Sequence, residues 1–570
     1  MKLRVALIAL CCGALFAGSA ADAKLKLPYK KEGLSKEQAA VYLLERFAFG
    51  PRPGEVERVA KMGPEKWLEQ QLAANLPETE LTERLKAFPA LAMTSEEIQT
   101  TYVRDGQLRN RMKKEGLLDP EKASRKEIRE KLNAYRKEHS LRPYGSLSNR
   151  ELKGQKVVRA VYSENQLAEV LTDFWFNHFN VTVRDGQARS WVLAYERDAL
   201  RPNVLGDFRT ILGATAKHPA MLHYLDNVQS RIEPPPPKNP PKAAKNEDTS
   251  KPPPKPKRKY GLNENYAREL MELHTLGVDG GYEQKDVTEV ARILTGWATM
   301  PNNVNQRKNI AKQISRGNKN LVREGDFLFR KYWHDKKAKV VLGEKFPAGG
   351  GVEEGERVLD MLAVHPSTAH FISTKLARRF VNDNPPKALV KRMAKTFSKT
   401  NGDLAAVMAE LAQSREFWAE AKTRSKMKSP FELMASSMRA LEADVKNAQP
   451  MMQWLDRMGE QLYGYLEPTG FPDYAESWTN SGTLVTRMNF AVRLATGRIN
   501  GITLKRLARN NNQDPLTTDQ ALAIYGKLLL PARDTSAIAS ELKGMIPEAA
   551  KRKDIQVVGM LLGSPEFQYR

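Results

Sequence analysis

An all-α fold, an irregular multi-helical domain, is predicted by three observations: helix-capping signatures recur along the chain, apolar residues return at helical spacing, and strand signals are few. Ser35-Lys-Glu-Gln38 reads as a capping box before a helix over 39–48, and Thr94-Ser-Glu-Glu97 as a second. Pro53 suits a first helical turn, and Gly63-Pro64 separates that helix from one carrying Trp67, Leu68 and Leu72. Asp119-Pro120 opens a long charged helix to about His139. Ser148-Asn-Arg-Glu151 and Ser163-Glu-Asn-Gln166 are read as caps of two more. At most a small β-hairpin is expected, pairing Phe327-Leu-Phe329 with Lys339-Val-Val-Leu342 across His334-Asp335. The C-terminal half holds a repeated helix pair. Segments 388–398 and 537–546 each precede an apolar helix that closes on Ser-x-Glu-Phe, at Phe417 and at Phe567.

The chain begins like an exported protein. Lys2 and Arg4 precede an apolar run over 5–18 and the small residues Ser19-Ala-Ala-Asp-Ala23. These are the three parts of a signal peptide, and the run is short of the roughly 20 residues that span a bilayer. Cleavage after Ala20 or Ala23 fits. Both cysteines, Cys11 and Cys12, lie in that run, so the mature chain is expected to have no disulfide, thiolate metal site or thiol nucleophile. The expected organisation is a signal peptide over 1–23, helical parts over 24–230 and 261–570 that form one domain, and an insertion over 231–260.

That insertion holds ten prolines and nine Lys or Arg, with Pro234-Pro-Pro-Pro237 and Lys255-Pro-Lys-Arg-Lys259. Such a composition builds no core and is expected to be extended and disordered. The formal charge of +24 favours an anionic partner. With export, a phospholipid or anionic cell-surface polymer is expected ahead of nucleic acid.

Three segments could carry chemistry. In Asp173-Phe-Trp-Phe-Asn-His-Phe-Asn-Val181, His178 falls on the apolar stripe of Leu167, Val170, Leu171 and Phe174 at a helix C-terminus. It reads as a packed histidine or as a group placed for proton transfer or metal binding, though no His-x-x-His or His-Glu-x-x-His pattern accompanies it. Tyr224-Leu-Asp226-Asn227 precedes the insertion. In Asn263-Glu-Asn-Tyr-Ala-Arg-Glu-Leu-Met-Glu272, Asn263 is read as a cap and Gly277 as the stop. Asn265, Glu269 and Glu272 share one side beside Arg268, and Glu264 pairs with Arg268. Carboxylates three apart serve acid–base work only if their environments split their pKa values; otherwise they form a solvated face. The Asp279-Gly-Gly281 loop lacks calcium-loop carboxylates and reads as a turn. The acidic, aromatic tract Glu467-Pro-Thr-Gly-Phe-Pro-Asp-Tyr-Ala-Glu-Ser-Trp478 reads either as a ligand-contacting loop or as a packed connector.

Taken in order, several stretches resemble one bacterial family, domain of unknown function 1800. They are Leu43-Leu-Glu-Arg-Phe-Ala-Phe-Gly-Pro51, Phe174-Trp-Phe-Asn-His-Phe179, Tyr224-Leu-Asp-Asn227, Asn263-Glu-Asn-Tyr-Ala-Arg-Glu-Leu270, Leu294-Thr-Gly-Trp297, His334-Asp335, Lys428-Ser-Pro-Phe-Glu432 and Ser564-Pro-Glu-Phe567. The insertion stands where the family usually has a shorter loop. The resemblance implies an exported protein without a settled activity, and a partner resembling an exported phosphatase or sulfatase encoded nearby. It also implies a shared site among Trp175, Asn177, His178, Asp226, Asn263, Asn265, Arg268, Glu269 and His334.

Two functions are therefore expected. One is an envelope scaffold that binds a secreted partner or an anionic surface polymer. The alternative is a hydrolase of glycans or phosphate esters working through Glu269, Glu272, His178 and His334. Whether the protein is an enzyme stays open at this level, no metal site is expected, and no cofactor is indicated.

Overall fold

A computed structural model describes residues 25–232, 261–507, 515–547 and 549–570. The signal peptide expected over 1–23 and nearly all of the expected insertion over 231–260 lie outside the described residues. The fold is mostly helical with a few small sheets. One large core takes residues from Leu27 to Phe567, drawn from both sides of the insertion. Two satellite clusters sit apart, one around Leu108, Leu132 and Tyr135, the other around Met300, Ile310 and Leu328. No described helix is long and apolar enough to cross a membrane.

Distant parts of the chain interlock through the first helix. In Lys36–Arg46 every residue from Ala39 onward is buried. The Tyr42 hydroxyl donates to Phe417 O at 2.8 Å, and the Phe47 and Phe417 rings stack 5.2 Å apart. Ser35 and Gln38 form the expected capping box, as do Thr94 and Glu97. The other two caps do not form. Ser148 lies inside a continuous helical stretch, and Gln166 accepts from Phe49 N instead of capping at Ser163. The third helix of interest is Asn265–Glu272. It starts after Glu264, while Asn263 Oδ1 accepts from Asn265 N, and it stops short of Gly277.

The expected hairpin does not form. Phe327–Arg330 lies between Leu321–Glu324 and Trp297–Thr299, and Lys339–Val341 pairs with Glu344–Phe346. Both strands of the expected hairpin thus find a neighbour nearer in sequence, at Leu321–Glu324 and at Glu344–Phe346, than the pairing across His334 would supply, which lowers the entropy of closing the loop. The two Ser-x-Glu-Phe segments match in detail. Ser414 Oγ donates to Leu411 O and Ser564 Oγ to Leu561 O. The final segment also runs beside 426–428: Lys428 N donates to Gln568 O and Arg570 N to Lys426 O, both at 2.9 Å.

Candidate functional site

The central helix Gln166–His178 is buried on nearly all sides. Its apolar stripe meets the core, so its polar residues need partners inside the protein. Glu169, Asp173 and Asn177 stand one turn apart and share a face. The helix Lys153–Tyr162 answers with Arg159 and Lys156. Glu169 pairs with Arg201 at 2.6 Å and Arg159 at 3.8 Å, and Asp173 pairs with Lys156 at 2.7 Å. Burial opposes the Lys156 charge, but Asp173 and Glu196 outweigh it and raise its pKa.

Where Asp173 and Asn177 face inward, the chain leaves a cavity of about 70 Å³. Lys156, Asp173, Arg379, Glu460 and Asp473 supply its charge; Phe174, Phe176, Tyr463, Phe471 and Trp478 supply aromatic wall. Asp173 and Asp473 keep 20% and 30% of their side chains exposed, so the cavity opens to solvent on their side.

Arg379 comes from the helix Pro366–Phe380. Its Nη1 lies 2.7 Å from Glu432 Oε1 and its Nη2 3.5 Å from Asp173. Nε and Nη2 make no hydrogen bond although both are buried. Glu432 also meets Arg570 at 2.6 Å. The motif Lys428-Ser-Pro-Phe-Glu432 builds this corner. Ser429 caps the helix Pro430–Ala440, Glu432 completes the capping box, and Pro430 takes the position that needs no N–H.

The next free donor of that helix end, Phe431 N–H, goes to Glu460 Oε2 at 2.7 Å. Glu460 is buried and has no cation in ion-pair contact among the described residues. Burial raises its pKa first, and the nearby Asp173 carboxylate adds to it, so Glu460 is pushed up to about 7. The helix N-terminus favours the charged form but does not offset these two effects. Asp473 goes the other way: burial disfavours its charge, yet Lys426 at 2.9 Å and Arg379 hold its pKa down.

A strap over residues 463–478 closes the cavity. Asn177 Oδ1 accepts from Phe471 N at 2.7 Å and Asn177 Nδ2 donates to Phe471 O at 2.8 Å. Asn180 Nδ2 donates to Glu467 O at 2.8 Å. Gly470 has φ +72°, and a Cβ there would lie 2.2 Å from Asn177 O, so only glycine fits. Tyr463 also adopts positive φ, +58°, a genuine outlier for a bulky residue. Its hydroxyl donates to Glu196 at 2.5 Å.

Of the candidate site residues named from the family motifs, Asn177 alone lines this cavity; Phe174 of the apolar stripe and Phe471, Asp473 and Trp478 of the acidic, aromatic tract line it too. Trp175 is buried in the core, its indole donating to Val204 O. His178 is buried, with Nε2 3.1 Å from His274 O. Burial first, then Lys375, holds its pKa well below the usual value, and outweighs the helix end that would favour the cation.

Asp226, Asn263 and His334 belong to a second convergence of motifs, knit by backbone bonds. Asn263 Nδ2 donates to Asp226 O, and Asn227 Nδ2 donates to Leu294 O and Trp297 O. His334 is fully buried, Nδ1 2.9 Å from Thr295 O and Nε2 3.0 Å from Glu354 Oε2, which also pairs with Lys339 at 2.7 Å. Asn265 is exposed; Arg268 donates to Gln284 and stands 3.6 Å from Glu264. Glu269 and Glu272 are half-buried, and burial, then Glu272, raises the Glu269 pKa. No hydrogen bond or ion pair among the described residues joins either glutamate to His178 or His334. No group of three or more His, Cys, Asp or Glu among the described residues is placed to hold a metal ion.

The sequence signal that could have found the cavity is the i, i+4 series Glu169, Asp173, Asn177, read on the opposite face from His178. Lys156, Arg379 and Glu460 come from distant segments and carry no local mark, whereas the strap contains the acidic, aromatic tract over 467–478, read in the sequence as a ligand-contacting loop or a packed connector.

The fold and this cavity define a helical protein with an internal charged pocket under a strap. The chain belongs to the family described as "Protein of unknown function (DUF1800)", whose sequence profile matches residues 42–569. No curated protein and no solved structure matches the chain.

Proposed function

We propose that this protein is an exported hydrolase acting on a glycan of the cell envelope, with Glu460 as proton donor and Asp173 as base. One observation carries the reading. Among the described residues Glu460 is a buried carboxyl with no cation in ion-pair contact, in the same cavity as an Asp173 that is salt-bridged to Lys156. Burial raises the Glu460 pKa while Asp173 lies against the Lys156 cation, and two carboxyls in such different surroundings can divide acid and base roles. The Arg379 Nε and Nη2 groups, buried and without hydrogen-bond partners, are placed to meet negative charge that develops on a reacting oxygen.

The lining favours a glycan over a phosphate ester. Asp173 and Asp473 offset the Lys156 and Arg379 charges and Glu460 offers a proton, which suits hydroxyl and amide groups better than a dianion. Aromatic walls suit the apolar faces of sugars. A volume of about 70 Å³ takes a sugar substituent and no whole ring, so ring entry requires the strap to move.

The test is release of reducing ends or acyl groups from purified peptidoglycan and envelope polysaccharides. Turnover that falls about a hundredfold or more in Glu460→Gln and Asp173→Asn, and is unchanged in Glu269→Gln, supports the proposal. Saturable binding without turnover would move the protein to the binding class, and absence of both would overturn the site.

A further inference from the structure

Away from the cavity, the helices Gln449–Arg457 and Ser481–Ala495 pack together, Trp454 against Phe490, and the turn after the second helix returns to Lys446 and Asn447 ahead of the first. Between these helices and that turn lies a hollow of about 380 Å³, whose lining includes Gln453, Trp454, Arg457, Arg493, Arg498 and Asn500. Three arginines and no carboxylate line it. We propose that this hollow binds an anionic saccharide, a sugar bearing carboxylate or sulfate groups, independently of the reading of the cavity.

The arginines are unspent. Arg457, Arg493 and Arg498 are exposed, and none makes an ion pair or side-chain hydrogen bond among the described residues. Basic residues at helix C-termini usually serve the helix dipole or its free carbonyls. Here, among the described residues, none of the three guanidinium groups donates to a carbonyl, so their donors stay open to an outside ligand. Guanidinium forks match carboxylate and sulfate oxygens in pairs.

The hollow is also preformed. Arg457 lies 5.2 Å from the centre of the Trp454 ring, and that ring packs on Phe490 at 6.0 Å. The turn that carries Arg498 and Asn500 is pinned at Gly501, whose carbonyl accepts from Lys446 N at 2.9 Å and Asn447 N at 3.1 Å. A Cβ on Gly501 would meet Asn447 Cβ at 2.6 Å, and its φ is +79°. A half-exposed indole beside Gln453 and Asn500 offers a flat apolar contact and amide groups for hydroxyls. That combination favours a charged sugar over a bare polyanion, which needs cations alone.

Calorimetric titration of the purified protein with polygalacturonate, dextran sulfate and neutral dextran, at physiological ionic strength, tests this. Polygalacturonate or dextran sulfate should bind and neutral dextran should not; the preference between the first two names the anionic group. Combined Arg457→Gln, Arg493→Gln and Arg498→Gln should weaken binding about tenfold, and Trp454→Ala should weaken it as well. The control combination Lys387→Gln, Lys391→Gln and Lys395→Gln, on another exposed face, removes the same charge and should weaken it less than about twofold. Equal losses in the two combinations, an unaffected Trp454→Ala, or no binding would overturn the site. So would tighter binding of phosphatidylglycerol vesicles or single-stranded DNA than of either saccharide.

Discussion

Asn177 grips Phe471 at both ends of its amide, accepting from the backbone N–H at 2.7 Å and donating to the carbonyl at 2.8 Å. The side chain acts as one rung of a β-ladder, and by it the central helix holds the strap over the cavity. Asn177→Leu keeps the volume and removes both bonds. Each bond is worth about 1 kcal/mol and the freed backbone groups cost more, so the variant should lose about 2–3 kcal/mol of stability. Hydrogen exchange should show protection lost over 465–478 and kept in the helix Gln166–His178. Uniform loss along the chain would mean that the strap is held by other contacts.

The close approach at Gly470 gives a second handle on the same strap. Gly470→Ala places a methyl 2.2 Å from Asn177 O at a positive φ. The variant should therefore lose on the order of 2 kcal/mol by denaturant unfolding, and Asn177→Leu should add little to it, because both release one contact. Additive losses would separate the two.

Glu460 should leave its mark on stability against pH. Its carboxyl is raised from 4.5 to about 7 in the folded protein. Between those values the folded state holds a proton that the unfolded state has released, so stability falls as pH rises through that window. The favourable contribution is complete below pH 4.5 and lost above about 7. Glu460→Gln removes the dependence. It should match the wild type at low pH and exceed it at pH 8 by on the order of 2 kcal/mol in urea titrations. An unchanged pH profile would place the proton elsewhere.

The two glutamates of the motif convergences should behave differently. Glu354 joins His334 and Lys339 in a buried cluster, and Glu354→Ala removes the carboxylate they share, leaving the buried Lys339 charge with the Asp335 carbonyl alone among the described residues. That should cost about 3–5 kcal/mol. Glu269 is half-buried on a helix face, and Glu269→Gln should stay within about 0.5 kcal/mol of the wild type. Thermal unfolding of the pair checks this. Equal losses would make Glu269 part of the same framework.

The helical class and many helix positions were legible because capping is local. Ser35 with Gln38 and Thr94 with Glu97 settle their helices within four residues. Ser163 looks the same in sequence, but Phe49 N–H takes the Gln166 oxygen from across the core. The hairpin expected across His334 failed for a similar reason, since strand pairing is decided between segments and not within them. At the site, attention to histidines led to His178 and His334, which the fold uses as buried supports. The period-four series Glu169, Asp173 and Asn177 was present in the same helix. Its meaning depends on Lys156, Arg379, Glu460 and Phe471, and only folding brings them together.

The most direct measurement is a carboxyl-carbon NMR titration of Glu460, assigned by comparison with Glu460→Gln. A midpoint of about 7 is predicted, moving downward in Asp173→Asn as the neighbouring negative charge is removed. A midpoint near 4.5, unaffected by Asp173→Asn, would contradict the account of the cavity as an acid–base site.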